Sequence, residues 1–416
     1  MAKTKVFVSA YACEPGLGSE IGVGWHWVLE MSKYFELWVL TRKSNQSNIE
    51  EWMNAQDEKY DIHFLYYDLP DALRFWKRGL RGVRLYYTIW QSRTNKIVKN
   101  TMKENDIKIY HLLTYGNSLW KASRYGIKQF FVWGPTGGVD TIPAEYSKHY
   151  GFKSRMIEWA RRSVVKMLPI NIAFQRRCKN ADLILCKSYN MQNAIPEKYR
   201  DKAILFTDVA VEMKQLKEEP SGYNWGEIDH TDVKIKYIVV GKLDAWRGFD
   251  VLVEAFAKAY DENKNIELEI LGKGNDKERI QKLIEDKEMT ETIQMSGEVS
   301  MDEYFGKVKK ADVIVNTSLK EGAVTVSFDA MALAKPLICV DTGGYTRYFN
   351  NENAVVLERG HRDQLVDDIK DAILKLTDER ARREIGRKAF ESGQRYTWEQ
   401  KGQDIYDAIM KAYEGR

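Results

Sequence analysis

Short apolar runs alternate with amphipathic segments along nearly the whole chain. A parallel sheet is covered by helices on both faces, so each of its strands reads as a near-continuous apolar run, and strands spaced by helices indicate βαβ units. We interpret as strands residues 5–10, 37–42, 62–68, 107–113, 130–135, 181–188, 203–206, 235–241, 266–272, 293–297, 312–318, 336–344 and 354–360. The alternation predicts an α/β protein with doubly wound parallel sheets.

The alternation is interrupted once, near the middle of the chain. Residues 213–234 are polar, contain a Pro-Ser-Gly turn signal and show no clear period, so we predict that they form a linker. A chain of 416 residues also exceeds one ordinary core. We therefore predict Rossmann-like domains over 1–212 and 235–396, and a last helix at 397–416 that packs back on the first domain. Ligands bind beyond the carboxyl ends of such strands, so the two domains are expected to face a central cleft.

Composition excludes several classes of protein. With 44% hydrophobic residues, 30% charged residues and eight prolines, the chain is folded rather than disordered. A net charge of +4 is too small to imply a nucleic-acid partner. The four cysteines form no CxxC pair and the histidines show no metal-ligand spacing, so we expect reduced thiols and no metal site. The chain has no signal-peptide core and no run of about 18 apolar residues, so we expect a cytoplasmic location.

Two loops of the second half follow strands and contain chemically suitable residues. In GKLDAWRG (241–248), Lys242 and Arg247 lie just beyond a strand, where two cations can neutralise a diphosphate. The alternative is two solvated surface cations. The glycine turn LGKGNDK (271–277) is by itself an ordinary connection between a strand and a helix.

A third loop, from the strand end at 317–318 to the following helix, contains two acids. Glu321 lies in the loop, a helix is predicted to begin near Thr325 or Val326, and Asp329 lies one turn into it. The free N–H groups at a helix start can bind a phosphate. Glu321 can then accept hydrogen bonds from a polyol, and Asp329 from the vicinal hydroxyls of a ribose. The alternatives are a solvated glutamate and an aspartate favoured by the helix dipole.

These loops resemble those of the retaining glycosyltransferases of the GT-B fold, family 4 type, also called glycosyl transferases group 1. GKLDAWRG matches the pattern G-R-L-x-x-x-K-G with the two cations exchanged, and EGAVTVSFDAMA matches E-G-F-G-x-x-x-x-E-A-M-A with Asp329 in place of the second glutamate. PLICVDTGG matches P-V-I-A-x-x-x-G-G, and TWEQ (397–400) matches a final W-E. The matches occur in the family's order, and the resemblance is strong across 235–400.

The resemblance implies a role for each matched residue. Glu321 would contact the donor sugar, Asp329 the ribose, the amides of 323–325 the β-phosphate, and Lys242 and Arg247 the diphosphate. The base would lie near 297–299, and the glycine loop at 16–18 would close on the diphosphate. The implied donor-binding residues are Gly16, Gly18, Lys242, Arg247, Gly297, Glu298, Val299, Glu321, Ala323, Val324, Thr325 and Asp329. The implied catalytic residues are Glu321, Arg247, Lys242 and His111.

For each candidate site residue or loop in the first half of the chain, two interpretations stay open. The family often has H-x-H where this chain has His111 and Leu113, so His111 is either close to the reacting centre or a hydrogen-bonded core histidine. Glu20 is either an acceptor contact or a carboxylate in the first turn of a helix. The glycine-rich loop 133–143 either shapes the acceptor pocket or is a plain turn.

Residues 73–103 contain nine Lys or Arg, no acid and several aromatic residues. This mixture favours an anionic membrane surface or a lipid-diphosphate acceptor, with the protein peripheral on the inner face of the membrane. It also suits stacking on nucleic-acid bases, which the fold argues against. The alternative is a solvated helix whose aromatic residues lie in the core.

The resemblance implies an enzyme that moves a sugar from a nucleotide-diphosphate donor to an acceptor hydroxyl with retention, in the assembly of a surface polysaccharide or glycolipid. No D-x-D sequence occurs, so we expect no metal and no cofactor beyond the nucleotide sugar, with UDP and GDP both open. The expected partners are this donor and a carbohydrate or lipid-linked acceptor. Two alternatives remain: a sugar-nucleotide epimerase of the same fold and an inactive nucleotide-sugar-binding subunit.

Overall fold

The computed structural model of the protein describes residues 3–73, 76–77, 82–120, 129–212, 234–320 and 324–416. All but the last residue of the predicted linker, 213–234, therefore lies outside the described residues. The strands are β1 (Thr4–Ala10), β2 (Phe35–Thr41), β3 (Ile62–Tyr66), β4 (Ile109–Thr114), β5 (Phe130–Thr136), β6 (Leu183–Cys186), β7 (Ala203–Leu205), β8 (Ile235–Val240), β9 (Ile266–Leu271), β10 (Ile293–Gly297), β11 (Val313–Asn316), β12 (Leu337–Asp341) and β13 (Val355–Glu358).

Helices connect nearly all of these strands. They are α1 (Ser19–Ser32), α2 (Gln46–Asn54), α3 (Val83–Arg93), α4 (Asn95–Glu104), α5 (Ala144–Ser147), α6 (Phe152–Lys166), α7 (Ile172–Asn180), α8 (Tyr189–Ala194), α9 (Phe249–Glu262), α10 (Lys277–Asp286), α11 (Met301–Lys310), α12 (Thr325–Ala332), α13 (Arg362–Lys375), α14 (Glu379–Gly393) and α15 (Trp398–Glu414).

The first sheet has seven parallel strands in the order β3-β2-β1-β4-β5-β6-β7. Its middle strands are buried because their side chains are apolar on both faces; every residue of β4 is buried. β1 and β4 are neighbours although about 100 residues separate them in sequence, and the strand order runs outward from this pair in both directions. The loops after β1 and β4 therefore lie at the topological switch point of the sheet.

The second sheet has six parallel strands in the order β10-β9-β8-β11-β12-β13. Its switch point lies between β8 and β11, so the loops that begin at Gly241 and Thr317 share one region of the carboxyl edge. α9 packs on this sheet with Val251, Leu252, Ala255, Phe256 and Ala259 buried. Two doubly wound parallel sheets confirm the predicted fold class.

The chain divides into two compact units, and each unit is built from segments that are not contiguous in sequence. One unit comprises Met1–Val139, Met167–Asp208 and Trp398–Arg416, and the other comprises Asp140–Lys166 and Val209–Thr397. The predicted first domain, 1–212, includes residues 140–166, whereas in the structure these residues belong to the second unit. The reason is that Ile142, Tyr146 and Tyr150 are buried in the same core as the apolar side chains of β8, β9 and α9.

The last helix, α15, belongs to the first unit. Trp398 stacks on His26 of α1 with ring centroids 4.9 Å apart. Gly402 allows the two helices to pack closely, because a Cβ atom there would lie 3.0 Å from the Cβ atom of Glu30. The chain thus returns to its first unit at its end. None of the described helices combines the length and the apolar character needed to cross a membrane.

Candidate active site

The loops after β8 and β11 are bonded to each other at the switch point of the second sheet. The hydroxyl of Thr317 donates to the carbonyl of Arg247 at 3.0 Å, and the amide of Leu319 donates to the carbonyl of Trp246 at 3.0 Å. Gly248 adopts a left-handed conformation, and a Cβ atom there would lie 2.4 Å from the carbonyl oxygen of Thr317. This contact requires glycine. The predicted cation loop and the predicted phosphate loop are therefore adjacent.

Arg247 is held in a defined position within this region. One of its terminal nitrogens donates to the hydroxyl of Ser318 at 3.1 Å. Its guanidinium lies over the ring of Trp246, with 4.5 Å between Cζ and the ring centroid. It also lies against Gly241, where a Cβ atom would be 3.6 Å from Cζ. A planar guanidinium that is held by three contacts is suited to binding an anionic ligand in a fixed geometry.

Lys242 differs from Arg247 in exposure and in its partner. Its side chain is 54% exposed and forms an ion pair with Asp244 at 3.2 Å. An exposed lysine pair of this kind is held weakly, so Lys242 can turn towards a stronger anion. The two predicted cations therefore lie on the same loop, and the side chain of Arg247 is held more firmly than that of Lys242.

Helix α12 begins at Thr325, as the sequence predicted. Val324 precedes it with extended backbone, and no side chain caps the first turn. The start of this helix follows β11, so its amide groups lie at the same sheet edge as Arg247. Residues 321–323, which include the candidates Glu321 and Ala323, lie outside the described residues.

Asp329 lies in the middle of α12, and its side chain is buried. Its Oδ2 atom accepts a hydrogen bond of 2.6 Å from the hydroxyl of Tyr304 on α11. Burial raises the pKa of Asp329 to about 7, while the Tyr304 hydrogen bond opposes this shift and the charge of Glu212 adds to it. The carboxyl group is thus oriented by a tyrosine that lies 25 residues earlier in the sequence. No sequence pattern pointed to Tyr304.

Replacing Asp329 by asparagine tests this burial. Because the pKa of Asp329 is raised from 3.8 to about 7, the folded protein keeps the carboxyl proton between these pH values, whereas the unfolded chain loses it. The contribution of Asp329 to the free energy of unfolding therefore falls as the pH rises through that window. Relative to Asp329→Asn, we expect the wild-type free energy of unfolding to be about 2–3 kcal/mol lower at about pH 8 than at about pH 5. Urea unfolding at both pH values measures it.

The control for this measurement is Asp363→Asn, because the side chain of Asp363 is 98% exposed. We expect this variant to follow the wild type at both pH values. An Asp329→Asn difference that is the same at both pH values would contradict the raised pKa.

The predicted base-binding segment, Gly297 to Val299, lies at the end of β10. Gly272 donates from its amide to the carbonyl of Gly297 at 2.6 Å, which joins this strand end to the loop after β9. Glu298 forms an ion pair with Lys273, and both side chains are exposed. The segment therefore belongs to the same carboxyl edge as Arg247, two strands away from β8.

Lys320 was not predicted, and it is the described residue immediately before Glu321. Its side chain is 7% exposed and forms an ion pair with Glu158 of α6, which is 4% exposed. Its ammonium also lies 5.0 Å from the centroid of the Trp246 ring. Burial, together with the nearby charge of Arg161, lowers the pKa of Lys320 to about 8 despite the opposing effect of Glu158. This pair fixes the loop at the point where it enters 321–323.

In the first unit, the loop after β1 contains the predicted glycines. Gly16 is in the left-handed region with φ 72°, and Gly18 precedes α1 with φ −84°, which other residues also adopt. The Oε1 atom of Glu20 accepts a hydrogen bond of 3.0 Å from the amide of Gly116. Burial raises the pKa of Glu20, while Lys187 and this hydrogen bond oppose the shift. Glu20 therefore connects the two loops at the switch point of the first sheet.

His111 is a core residue, which is the alternative that the sequence left open. It lies inside β4, is completely buried, and its Nε2 lies 2.7 Å from the carbonyl oxygen of Gly134. Burial lowers its pKa to about 4, so the ring is neutral and Nε2 donates to that carbonyl. A buried and neutral ring that is committed to a backbone carbonyl does not fit the catalytic role considered for it.

Three of the five aromatic residues of 73–103 are core residues, and a fourth, Trp76, is half-buried. Tyr86, Tyr87 and Trp90 are at most 1% exposed, so α3 packs them inside the first unit. Phe75 lies outside the described residues. Burial of these three side chains agrees with the alternative of a helix whose aromatic residues lie in the core, and the membrane contact of this segment stays a prediction.

The remaining predictions for this part concern metal ions and thiols. Among the described residues, no group of three or more His, Cys, Asp or Glu side chains has the arrangement of a metal site. All four cysteines are buried free thiols.

The sequence and the fold are similar to those of glycosyltransferases. The family model of glycosyl transferases group 1 matches residues 227–391. An uncharacterised glycosyltransferase of Methanocaldococcus jannaschii is 25% identical over 353 residues, which are 81% of this chain and 91% of the relative. The poly(glycerol-phosphate) alpha-glucosyltransferase of Bacillus subtilis is 25% identical over 371 residues, which are 85% of this chain and 49% of the relative.

A solved structure extends the similarity to the whole fold. HepE of Anabaena, solved in complex with UDP and glucose, superposes with a TM-score of 0.58 at 12% identity, over 98% of this chain and 99% of that chain. Residues 227–391 therefore belong to glycosyl transferases group 1, and the chain has the GT-B fold.

Proposed function

We propose that the protein moves a sugar from a nucleotide-diphosphate donor to an acceptor hydroxyl with retained anomeric configuration. The observation that carries this proposal is the fixed guanidinium of Arg247, which lies at the switch point of the second sheet beside the loop that leads to α12. Arg247, Lys242 and the first amides of α12 bind the diphosphate in this proposal. Their positive charge is in place before the reaction, so it stabilises the charge that develops on the leaving group.

The nucleoside half of the donor occupies the neighbouring strand ends. Asp329 accepts hydrogen bonds from the ribose hydroxyls, with its orientation set by Tyr304. The base lies against the backbone of 297–299. Gly297 supports this assignment, because no atom lies within 4 Å of the position that a Cβ atom would occupy there. Glu321 accepts hydrogen bonds from the donor sugar.

In the transfer step the acceptor oxygen forms a bond to the anomeric carbon as the bond from that carbon to the diphosphate oxygen breaks. The acceptor attacks on the face from which the diphosphate leaves, and a diphosphate oxygen takes the acceptor proton. The cations and amides described above supply the positive charge, so the proposal assigns no step to a metal ion.

We further propose a carbohydrate or a lipid-linked carbohydrate as acceptor, in the assembly of a surface polysaccharide or glycolipid. The support is that a relative matched over 85% of this chain is a poly(glycerol-phosphate) alpha-glucosyltransferase, which by its name transfers glucose to a polymer.

Calorimetric titration with UDP, GDP, ADP and their sugar conjugates tests the donor site, with a chelator present. We expect one nucleoside diphosphate to bind, and Arg247→Ala to weaken that binding by about 30–100-fold, since a charge-assisted pair contributes about 2–3 kcal/mol. The control is Arg387→Ala, because Arg387 is an exposed cation of α14 in the same unit. Equal affinities of the two variants would remove Arg247 from the site, and binding without turnover would favour a binding subunit.

A further inference from the structure

Helix α6 presents its apolar side chains to solvent and its polar side chains to the protein. The buried or half-buried side chains of the helix are Ser154, Glu158, Arg161, Arg162, Ser163 and Val165. The large exposed apolar side chains are Phe152 at 72%, Met156 at 45%, Ile157 at 56%, Trp159 at 59% and Val164 at 51%. An ordinary surface helix has the opposite arrangement. We call the side of α6 that carries these five exposed residues the outer face.

The orientation of α6 is fixed by specific contacts of its inward polar groups. Glu158 pairs with the buried Lys320. The Nε of Arg161 donates to the carbonyl of Asp140 at 3.1 Å, and Arg162 donates to the carbonyl of Ile142 at 3.3 Å. Turning the apolar residues inward would break these contacts and expose the charges of a buried pair. The exposure of the outer face is therefore built into the fold of the second unit.

The outer face is also positively charged. Lys153, Arg155 and Lys166 are exposed on the same helix. The guanidinium of Arg155 lies 5.8 Å from the ring centroid of Phe152, so cation and apolar surface are directly adjacent. The single acid of α6, Glu158, is buried and already paired with Lys320. The helix thus presents apolar and cationic groups, and no carboxylate, to whatever contacts its outer face.

We propose that the outer face of α6 docks on the surface of an anionic lipid bilayer. Helices that lie in a membrane interface combine bulky apolar residues such as Trp and Phe with Lys and Arg, and they bind through buried apolar area and attraction to anionic lipids. Phe152, Met156 and Trp159 enter the boundary between headgroups and acyl chains, and the exposed cations contact the lipid phosphates. A cluster of exposed apolar side chains of this size marks an interaction surface.

Charge favours a bilayer over a second copy of the chain. A symmetric pair formed through this helix would bring identical faces together, and each face carries the same three cations without an acid. An anionic bilayer supplies the opposite charge. The proposal uses no residue of the donor site. Vesicle binding can therefore fail while the proposed sugar transfer is confirmed, and sugar transfer can fail while vesicle binding is confirmed.

Co-sedimentation of the whole protein with vesicles tests the proposal. The vesicles are phosphatidylcholine alone, or phosphatidylcholine with about one third phosphatidylglycerol. We expect the wild type to bind the anionic vesicles, to bind less at high salt, and not to bind phosphatidylcholine alone. The double variant Met156→Ser/Trp159→Ser should lower the partition coefficient at least about tenfold.

The matched control is Leu85→Ser. Leu85 is 55% exposed on α3, an apolar surface residue in the basic segment 73–103, and the variant should bind as the wild type does. The variant positions are exposed, and circular dichroism verifies that each variant is folded. Absence of wild-type binding, equal binding by the double variant, or a wild-type dimer that the double variant abolishes would each overturn the proposal.

Discussion

Arg247→Ala is expected to lower turnover by about 10²–10³-fold, which is the effect of removing one fixed donor from a developing negative charge. The guanidinium is held by Ser318 and by the Trp246 ring before any ligand binds, so its contribution to the transition state needs no rearrangement. In the proposed reaction charge grows on the diphosphate as the sugar leaves, so we expect kcat to fall more than KM rises. Release of the nucleoside diphosphate, with water as acceptor if no sugar is added, measures this.

Two further variants show whether the geometry or the charge of the Arg247 side chain is responsible for its effect on turnover. Arg247→Lys retains the charge but not the planar fork, so it should recover only part of the activity, within about tenfold of the wild type. Arg387→Ala removes a cation elsewhere in the unit and should leave turnover unchanged. Wild-type turnover in Arg247→Ala would show that the diphosphate is bound by other groups.

Lys320→Met is expected to destabilise the protein by about 3–5 kcal/mol, because it leaves the carboxylate of Glu158 buried without its counterion. Both side chains of this pair are almost inaccessible to solvent. Adding Glu158→Gln to Lys320→Met removes the stranded charge, so the double variant should regain most of the lost stability. Urea unfolding of both single variants and the double variant gives the coupling energy of the pair.

The control for this cycle is an exposed ion pair in the same unit. Lys258 and Asp367 lie 2.7 Å apart with side chains 52% and 49% exposed. Lys258→Met should therefore cost less than about 1 kcal/mol. If Lys320→Met costs no more than this control, Glu158 is solvated or protonated in the variant, and the ion pair does not fix the loop.

The strands and the fold class could be predicted from the sequence because their signals are local. Each predicted strand overlaps an observed one, and α12 begins at Thr325 as expected. The pattern of apolar residues within a few positions determines these elements. The roles of Arg247 and Asp329 were proposed from motifs, and the structure adds that Arg247 is fixed while Asp329 is buried beneath Tyr304.

The partners of these residues could not be predicted, because they are distant in sequence. Ser318 lies 71 positions from Arg247, and Glu158 lies 162 positions from Lys320. The sequence also does not show which side of an element faces the core. For Tyr86 and Trp90 the sequence left a surface and a core position open, and both side chains are buried, whereas Phe152 and Trp159 are exposed although no sequence pattern indicated it.

The discontinuous boundary of the second unit affects how this protein can exchange parts with its relatives. A hybrid joined once within 213–234 would inherit everything after the linker from one parent but residues 140–166 from the other. Lys320 would then face a residue of the other parent in place of Glu158. The backbone carbonyl of Arg359 would likewise face a residue of the other parent in place of Tyr146, whose hydroxyl donates a hydrogen bond to that carbonyl. A functional transplant must therefore move α5 and α6 together with the second sheet. Because the second unit consists of two internal segments, 140–166 and 209–397, its exchange as a whole requires four crossovers in this chain.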